Sequence, residues 1–156
     1  MVDSQAHQRP SDKQLTRLLE RRFNVQVPLE KAWAHLEQVE QWPSWARHIR
    51  RIELQPSKTL GPESEGTIEL KNGISSTFKV EEFNVGHNWK WVGPFLWLKV
   101  HYDHQFQKLG PEKTAVNFVV DGEGLGVGLF GRIFAAIYAR NLDRAIPRLI
   151  EELEQN

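Results

Sequence analysis

The hydrophobic pattern of this chain changes from strand period to a long helical period after residue 121, and that change limits the folds it can adopt. From residue 66 to 121, apolar and polar residues alternate in short segments, as in strands that bury one face. Turn residues separate these segments, and the pair Asn72 and Gly73 is the strongest hairpin signal among them. Beyond a glycine-rich stretch, the apolar residues recur at helical spacing instead. A series of antiparallel strands followed by one long helix predicts an α+β fold.

The N-terminal third is predicted to supply one strand and two short helices. Residues 1–13 are polar and are expected to form a flexible tail. Residues 14–22 allow either a short helix or a direct start of the strand, which residues 23–27 mark by their alternation. Pro28 suits the first position of an amphipathic helix of about three turns. Pro43 is placed to open a second short helix.

Six further strands are expected after these helices, which makes a sheet of seven antiparallel strands. Alternation places the longest of them at residues 74–85, 97–107 and 114–121. Pro94 is expected to end the strand that precedes residue 97, because proline cannot donate to a ladder of strand hydrogen bonds. Hairpin turns join these strands in sequence order.

The long C-terminal helix is predicted to turn one apolar face toward the sheet. Pro147 falls within it and removes one backbone donor, so we expect a kink near Asp143. The glycines before it are expected to let the last strand bend and to bring the helix close to the sheet. The residues assigned to the apolar face are Leu129, Phe130, Ile133, Phe134, Ile137, Tyr138 and Asn141.

Composition excludes several classes of protein and of site. The 156 residues suffice for one full core, and we expect one domain over residues 1–156. The absence of cysteine excludes disulfides, thiolate metal sites and cysteine nucleophiles. The 20 basic and 20 acidic residues balance, which disfavours nucleic acid as a partner. No apolar stretch is long enough to span a bilayer and the polar start is unlike a signal peptide, so the expected location is the cytoplasm.

Aromatic residues are abundant, with six tryptophans and eight phenylalanines, and the strand pattern places many of them on one face. A single helix about 10–12 Å in diameter covers only part of a curved seven-stranded sheet. The remaining space is either filled by these side chains as ordinary core or left as an apolar pocket. Polar side chains on the same face favour a pocket, because ligand sites are mostly apolar with a few such groups. The residues expected to line it are Trp45, Phe78, Trp89, Trp91, Tyr102, His104, Phe106, Phe118, Phe134, Tyr138 and Asn141.

Two segments carry a resemblance to a known family. The first is VQVPLEKAWAHLEQVEQWPSWARHIRRIEL, followed by the pair Gly66 and Thr67, and the second is TAVNFVVDGEGLGVGLFG before the long helix. Together they resemble the polyketide cyclase/dehydrase and lipid transport proteins of the START-like, or SRPBCC, superfamily. The resemblance covers residues 20–154.

The resemblance implies the helix-grip fold. In this fold a seven-stranded antiparallel sheet wraps around a long C-terminal helix, two short helices follow the first strand, and a hydrophobic tunnel is enclosed. Members include aromatases and cyclases, lipid and hormone carriers, quinone-binding proteins and co-chaperones. Trp33 and Trp45 match as structural residues near the cavity mouth, with the WPSW segment as its lid. No catalytic residue transfers, because the superfamily shares none.

The best candidate for acid–base chemistry is His104 with Tyr102 or Asn141, since a partly buried histidine can titrate near neutral pH. The alternative is that His104 is a satisfied polar group in the cavity wall. His101 and Asp103 are expected on the outer face of their strand and His104 on the inner face, which is poor geometry for a metal site. The segment GEGLGVG lacks the Lys and Ser/Thr of a phosphate loop. We therefore expect no metal and no cofactor.

Two basic clusters are expected to be solvated faces, unless either lies at the cavity entrance and holds an anionic head group. They are Arg47, His48, Arg50 and Arg51, and Arg140, Arg144 and Arg148.

Three functions follow as hypotheses. The first is non-catalytic binding of a hydrophobic small molecule, such as a lipid, isoprenoid or polyketide-like compound. The second is a polyketide cyclase, aromatase or dehydrase that uses His104 and Tyr102. The third is a co-chaperone-like interaction module acting through the outer face of the sheet. The sequence leaves a homodimer open.

Overall fold

The computed structural model describes residues 14–155, so the flexible tail predicted for residues 1–13 lies outside the described part. The strands are β1 Thr16–Val25, β2 Ile49–Gln55, β3 Glu65–Leu70, β4 Ser75–Asn84, β5 Asn88–Phe95, β6 Leu98–Gly110 and β7 Lys113–Glu123. The helices are α1 Leu29–Leu36, a 3₁₀ helix Val39–Ser44 and α2 Val127–Gln155.

The seven strands form one antiparallel sheet in the order β1-β7-β6-β5-β4-β3-β2. Strands β2 to β7 pair with their neighbours in sequence, whereas β1 pairs with β7. The segment with α1 and the 3₁₀ helix therefore connects one edge of the sheet to the other. α2 shares a core with the inner face of the sheet. This is the seven-stranded helix-grip α+β fold that the sequence predicts, with the two short helices after the first strand.

The ambiguity over residues 14–22 is resolved in favour of a strand, because β1 begins at Thr16. The register between β1 and β7 shifts between Arg17 and Leu19. This bulge interrupts the alternation, so Leu18 and Leu19 follow each other as inward-packed residues. An adjacent leucine pair also suits a helix, which explains why the sequence pattern alone did not decide.

The prediction that Pro94 ends its strand is wrong by one residue, since β5 continues to Phe95. The pairing register of β5 with β4 ends at Val92, whereas its pairing with β6 continues to Phe95. Pro94 therefore lies where only one neighbouring strand is paired, a position that tolerates the missing N–H. The turn follows at Leu96, whose φ is 55°.

The single apolar face predicted for the first half of α2 is wrong, because the seven residues assigned to it divide between two sides. Phe130 contacts Trp97 in the β5–β6 turn, and Phe134 and Tyr138 contact aromatic side chains of the sheet and each other. Leu129, Ile133 and Ile137 form a parallel row one position earlier and are exposed. Both rows have a spacing of about one helical turn, so sequence periodicity does not say which row meets the sheet.

The second half of α2 is packed on one side only, as expected for an amphipathic helix. Leu142, Ala145, Leu149 and Leu153 are buried. Pro147 lies within the helix and is exposed, and the kink near Asp143 stays a prediction.

The glycines around the β7–α2 junction bring the helix close to the sheet, as predicted. A Cβ at Gly122 would lie 2.9 Å from both Leu18 Cδ1 and Val127 Cγ2. A Cβ at Gly131, one turn into α2, would lie 2.6 Å from Leu18 Cδ2. Side chains at these two positions would push the first turns of α2 away from β1.

Candidate functional site

A small cavity lies where the 3₁₀ helix, the inner face of the sheet and the second half of α2 meet. Its volume is about 30 Å³, which is room for about one or two water-sized molecules. It is lined by Trp42, Trp45, Ala46, His48, Ile49, His104, Phe118, Tyr138, Leu142 and Ala145. The wall is thus mainly apolar, with two histidines and one tyrosine.

Four of the eleven residues predicted to line a pocket do line this cavity, namely Trp45, His104, Phe118 and Tyr138. The other seven lie outside its lining. They are Phe78, Trp89, Trp91, Tyr102, Phe106, Phe134 and Asn141.

Most of the interior beside α1 and the 3₁₀ helix is filled by aromatic rings. The ring centroid of Trp33, from α1, lies 5.0 Å from those of Trp89 and Phe106. The ring of Trp91 lies 4.4 Å from that of Phe78. These contacts make Trp89 and Trp91 part of a packed aromatic core in this structure. The cavity lies beside this core, on the side toward α2.

His104 is buried among four aromatic rings at the wall of the cavity. Its ring stacks on Trp89 with centroids 4.9 Å apart, and the Trp91 centroid lies 4.6 Å away. His104 Nδ1 lies 3.3 Å from the carbonyl oxygen of Trp89. Because a carbonyl only accepts hydrogen bonds, Nδ1 carries the proton and donates, which leaves Nε2 as an acceptor.

Burial lowers the pKa of His104 to about 4, against the smaller opposing effects of the Trp89 carbonyl and the charge of Asp103. The imidazole is therefore neutral at physiological pH. A group with so low a pKa is a hydrogen-bonding residue rather than a proton donor near pH 7.

Tyr138, from α2, supplies a further polar group of the cavity wall. Burial raises its pKa to about 12, so the phenol keeps its proton and can donate a hydrogen bond. Burial also raises the pKa of Tyr102, with a further contribution from Tyr138. The two rings lie 5.6 Å apart, and Phe134 stacks on Tyr138 at 5.5 Å.

The structure separates the pair proposed for acid–base chemistry into two clusters. Tyr102 packs with Phe134 and Tyr138, under the first half of α2. The ring contacts of His104 are instead with Trp89, Trp91, Trp42 and Phe118. The tyrosine that shares a cavity with His104 is Tyr138.

Sequence reasoning assigned six of the lining residues no place in the pocket: Trp42, Ala46, His48, Ile49, Leu142 and Ala145. Two signals were present in the sequence. Tyr138, Leu142 and Ala145 follow the i, i+4, i+7 spacing of one helical face. The other four are Trp42, which belongs to the WPSW segment expected to close the cavity as a lid, and Ala46, His48 and Ile49, which follow that segment directly.

The first basic cluster contributes only His48 to the cavity. Burial, together with the positive charge of Lys71, lowers the pKa of His48. Arg50 and Arg51 are exposed and lie 3.7 Å and 3.0 Å from carboxylate oxygens of Glu69. These two arginines thus form the solvated face that the sequence predicts.

The strand segment from His101 to His104 divides between the two faces of the sheet, as predicted. His101 Nδ1 lies 3.2 Å from Glu81 Oε2, and Asp103 accepts hydrogen bonds from Asn88 and Gln105. His104 points the other way, into the aromatic cluster. Within residues 14–155, no three His, Cys, Asp or Glu side chains are grouped so as to hold a metal ion.

A family model described as polyketide cyclase/dehydrase and lipid transport matches residues 17–154. No curated protein matches the chain significantly.

Solved structures with the same fold are distant in sequence. A START superfamily protein from Mycobacterium smegmatis is 19% identical with a TM-score of 0.69, covering 88% of this chain and 99% of that one. An aromatase/cyclase from Streptomyces sp. R1128 is 13% identical with a TM-score of 0.69, covering 90% and 94% of the two chains. A hypothetical protein from Helicobacter pylori is 15% identical with a TM-score of 0.71, covering 85% of each chain. At these identities the likeness establishes the fold alone.

Proposed function

The chain belongs to the polyketide cyclase/dehydrase and lipid transport family, and on that premise we propose that it binds a hydrophobic small molecule between the sheet and α2. A lipid, an isoprenoid or a polyketide-like compound fits this class. The observation that carries the proposal is a mainly apolar cavity whose wall contains two uncharged hydrogen-bonding groups, His104 and Tyr138. Such a combination is typical of small-molecule sites.

The two polar groups would orient the ligand. Tyr138 keeps its proton and offers a donor, while neutral His104 offers an acceptor at Nε2. A ligand with one hydroxyl group on an apolar skeleton can pair with both, because a hydroxyl accepts a hydrogen bond from Tyr138 and donates one to His104 Nε2. Burial of the skeleton supplies affinity at roughly 25 cal/mol per Å².

Binding requires the cavity to enlarge, because about 30 Å³ is far less than a lipid-sized ligand occupies. The first half of α2 is the element suited to move. Its Phe134 and Tyr138 are only partly buried, and its neighbouring apolar row faces solvent. Displacement of these two rings would join the cavity to the region around Tyr102.

The acid–base alternative, a cyclase or dehydrase using His104 and Tyr102, has less support. A histidine with a pKa near 4 is almost wholly unprotonated at pH 7 and is a weak base. Its ring contacts and those of Tyr102 belong to different clusters. Both groups are better suited to hold a ligand than to exchange protons with it.

Native mass spectrometry of the purified protein, with extraction and analysis of co-purifying lipids, tests the proposal directly. We expect an apolar compound of low mass to be retained, or a member of a lipid and polyketide panel to raise the melting temperature. Recovery of no such compound, together with no thermal shift across the panel, would contradict the proposal.

A cavity-filling variant ties binding to this site. Ala145 is buried and lines the cavity, so Ala145→Phe is expected to abolish the thermal shift by the ligand. Overpacking of this kind costs about 1–3 kcal/mol of stability. Ala34→Phe introduces the same ring at an exposed position of α1 and should bind as the wild type does. Unchanged binding by a folded Ala145→Phe protein would place the ligand elsewhere.

A further inference from the structure

The first half of α2 carries two neighbouring apolar rows, about 100° apart around the helix axis. One row faces the sheet through Phe134 and Tyr138. The other, outer row presents Leu129, Ile133 and Ile137, each more than half exposed. An apolar stripe of this width on a helix is normally covered by other parts of a structure. Within the described residues, nothing covers the outer row.

The β5–β6 hairpin extends this row into one surface. Trp97, at the hairpin, donates a hydrogen bond from Nε1 to the carbonyl oxygen of Leu125 over 2.7 Å. Its ring also lies 4.7 Å from that of Phe130 in α2. These contacts hold the hairpin tip beside the start of the helix. We call the resulting surface the apolar end; its side chains are 51% to 89% exposed and comprise Leu96, Trp97, Leu125, Leu129, Ile133 and Ile137.

The charged residues of α2 that lie beside the apolar end are positive. Residues 124–142 contain no aspartate or glutamate, and both of their arginines, Arg132 and Arg140, are exposed. The two acidic residues that border this stretch are both paired elsewhere. Glu123 lies within ion-pair distance of Lys99 and His101 on the outer face of the sheet, and Asp143 lies 2.7 Å from Arg21 of β1. An exposed apolar surface with basic residues at its sides is complementary to lipids whose head groups are anionic.

We propose that the apolar end docks on the surface of a bilayer that contains anionic lipid. The hairpin would place Trp97 at the level of the head groups, where amphipathic rings are favoured. Leu129, Ile133 and Ile137 would enter the boundary with the acyl chains, with α2 lying along the surface. Arg132 and Arg140 would pair with lipid phosphates. Docking of this kind does not depend on whether the internal cavity binds a ligand.

A second copy of the chain fits this surface less well. In a two-fold contact the same patch faces itself. The arginines of both copies would then approach one another with no acidic side chain between residues 124 and 142 to neutralise them. An anionic bilayer removes this conflict, which is why the charge pattern favours a lipid surface.

Flotation with lipid vesicles tests the proposal. We expect the wild-type protein to bind vesicles of phosphatidylcholine mixed with phosphatidylglycerol, and to bind vesicles of phosphatidylcholine alone much less. Added salt should weaken the binding, because it screens the charges. The double variant Ile133→Glu, Ile137→Glu should lose at least about tenfold in binding. Arg132→Gln and Arg140→Gln should each lose about fivefold on the anionic vesicles.

The matched control replaces exposed apolar residues at the other end of the sheet. Val85 and Leu109 lie at the β4–β5 and β6–β7 turns, and hairpins of an antiparallel sheet alternate between its ends, so both are remote from the β5–β6 hairpin. Val85→Glu, Leu109→Glu should bind vesicles as the wild type does. Melting temperatures of all variants establish that each is folded.

Three results would overturn the proposal. The first is no binding of the wild type to anionic vesicles. The second is equal binding by the wild type and a folded Ile133→Glu, Ile137→Glu protein. The third is a dimer in sedimentation equilibrium that this double variant dissociates, which would assign the apolar end to a second copy of the chain.

Discussion

At the scale of single residues, the aromatic surroundings of His104 govern its protonation. The ring is enclosed by Trp42, Trp89, Trp91 and Phe118, and it makes a hydrogen bond to the Trp89 carbonyl oxygen. The sequence placed His104 on the inner face correctly from strand alternation. Its protonation did not follow from that pattern, because it depends on how closely residues from three different elements approach the ring.

The low pKa of His104 predicts a loss of stability in mild acid. Its folded-state pKa of about 4 lies below the ordinary value of 6.5, so the unfolded chain takes up the proton first as the pH falls. The stability contributed by the neutral ring is present above pH 6.5 and is lost as the pH falls toward 4. The loss is on the order of 3 kcal/mol. Urea unfolding at pH 7 and pH 4.5 measures it.

The corresponding variant is His104→Phe, which keeps an aromatic ring and removes the titration. Its unfolding free energy should vary less between the two pH values than that of the wild type. His87→Phe, at an exposed position, serves as the control and should retain the wild-type pH dependence. The same pH dependence in His104→Phe as in the wild type would show that other groups cause the loss.

At the scale of elements, Gly66 shows why a strand residue can be limited to glycine. It lies in β3, where a Cβ would come within 2.6 Å of Phe78 Cζ and closer still to the carbonyl oxygen of Glu53. The glycine therefore lets the Phe78 ring of β4 lie across β3. The pair Gly66 and Thr67 was part of the family resemblance in the sequence, and this close approach is a physical reason for the glycine.

We expect Gly66→Ala to destabilise the protein by about 1–3 kcal/mol, because backbone atoms of β2 must shift to admit the methyl group. Gly61→Ala is the control, since a Cβ there meets nothing within 4 Å and its φ is not positive. Chemical unfolding of both variants checks the difference. Equal stability of the two would mean that the strands adjust without cost.

The order and type of the elements were predictable from the sequence, while the faces of the first half of α2 were not. Period-two alternation located β4 and β6 well because buried and more exposed residues alternate along much of each strand, and it located β7 although that strand is buried on both faces. The two apolar rows of α2 have the same spacing, and only the tertiary structure distinguishes them. The number of residues lining the cavity was overestimated for a related reason. Alternation indicates that Trp89 and Trp91 point inward, but it does not indicate that Trp33 and Trp42 fill the space in front of them.

At the scale of the whole molecule, the two halves of α2 differ in how tightly they pack against the rest of the structure. From Leu142 to Leu153 it buries four side chains in the common core. From Val127 to Asn141 it buries only Gly131. Within residues 14–155, no helix combines the length and hydropathy needed to cross a bilayer.

Hydrogen exchange should reveal this difference in packing. Local opening is easiest where few apolar groups are buried. We therefore expect amides of residues 131–140 to exchange faster than those of residues 143–152, although both stretches lie within one helix. Mass spectrometry of peptic peptides measures the two rates. Equal protection of the two stretches would contradict this difference in packing. Slower exchange of residues 131–140 after a ligand is added would connect the first half of α2 to the cavity.

The position of Trp97 has a consequence for spectroscopy. Of the six tryptophans, it alone is exposed, while the other five are buried in the aromatic core. Solvent-exposed indoles emit at longer wavelengths and are open to soluble quenchers, whereas buried ones are shielded. The emission at the red edge of the spectrum therefore comes mainly from the β5–β6 hairpin, so the chain carries an intrinsic optical label at the apolar end.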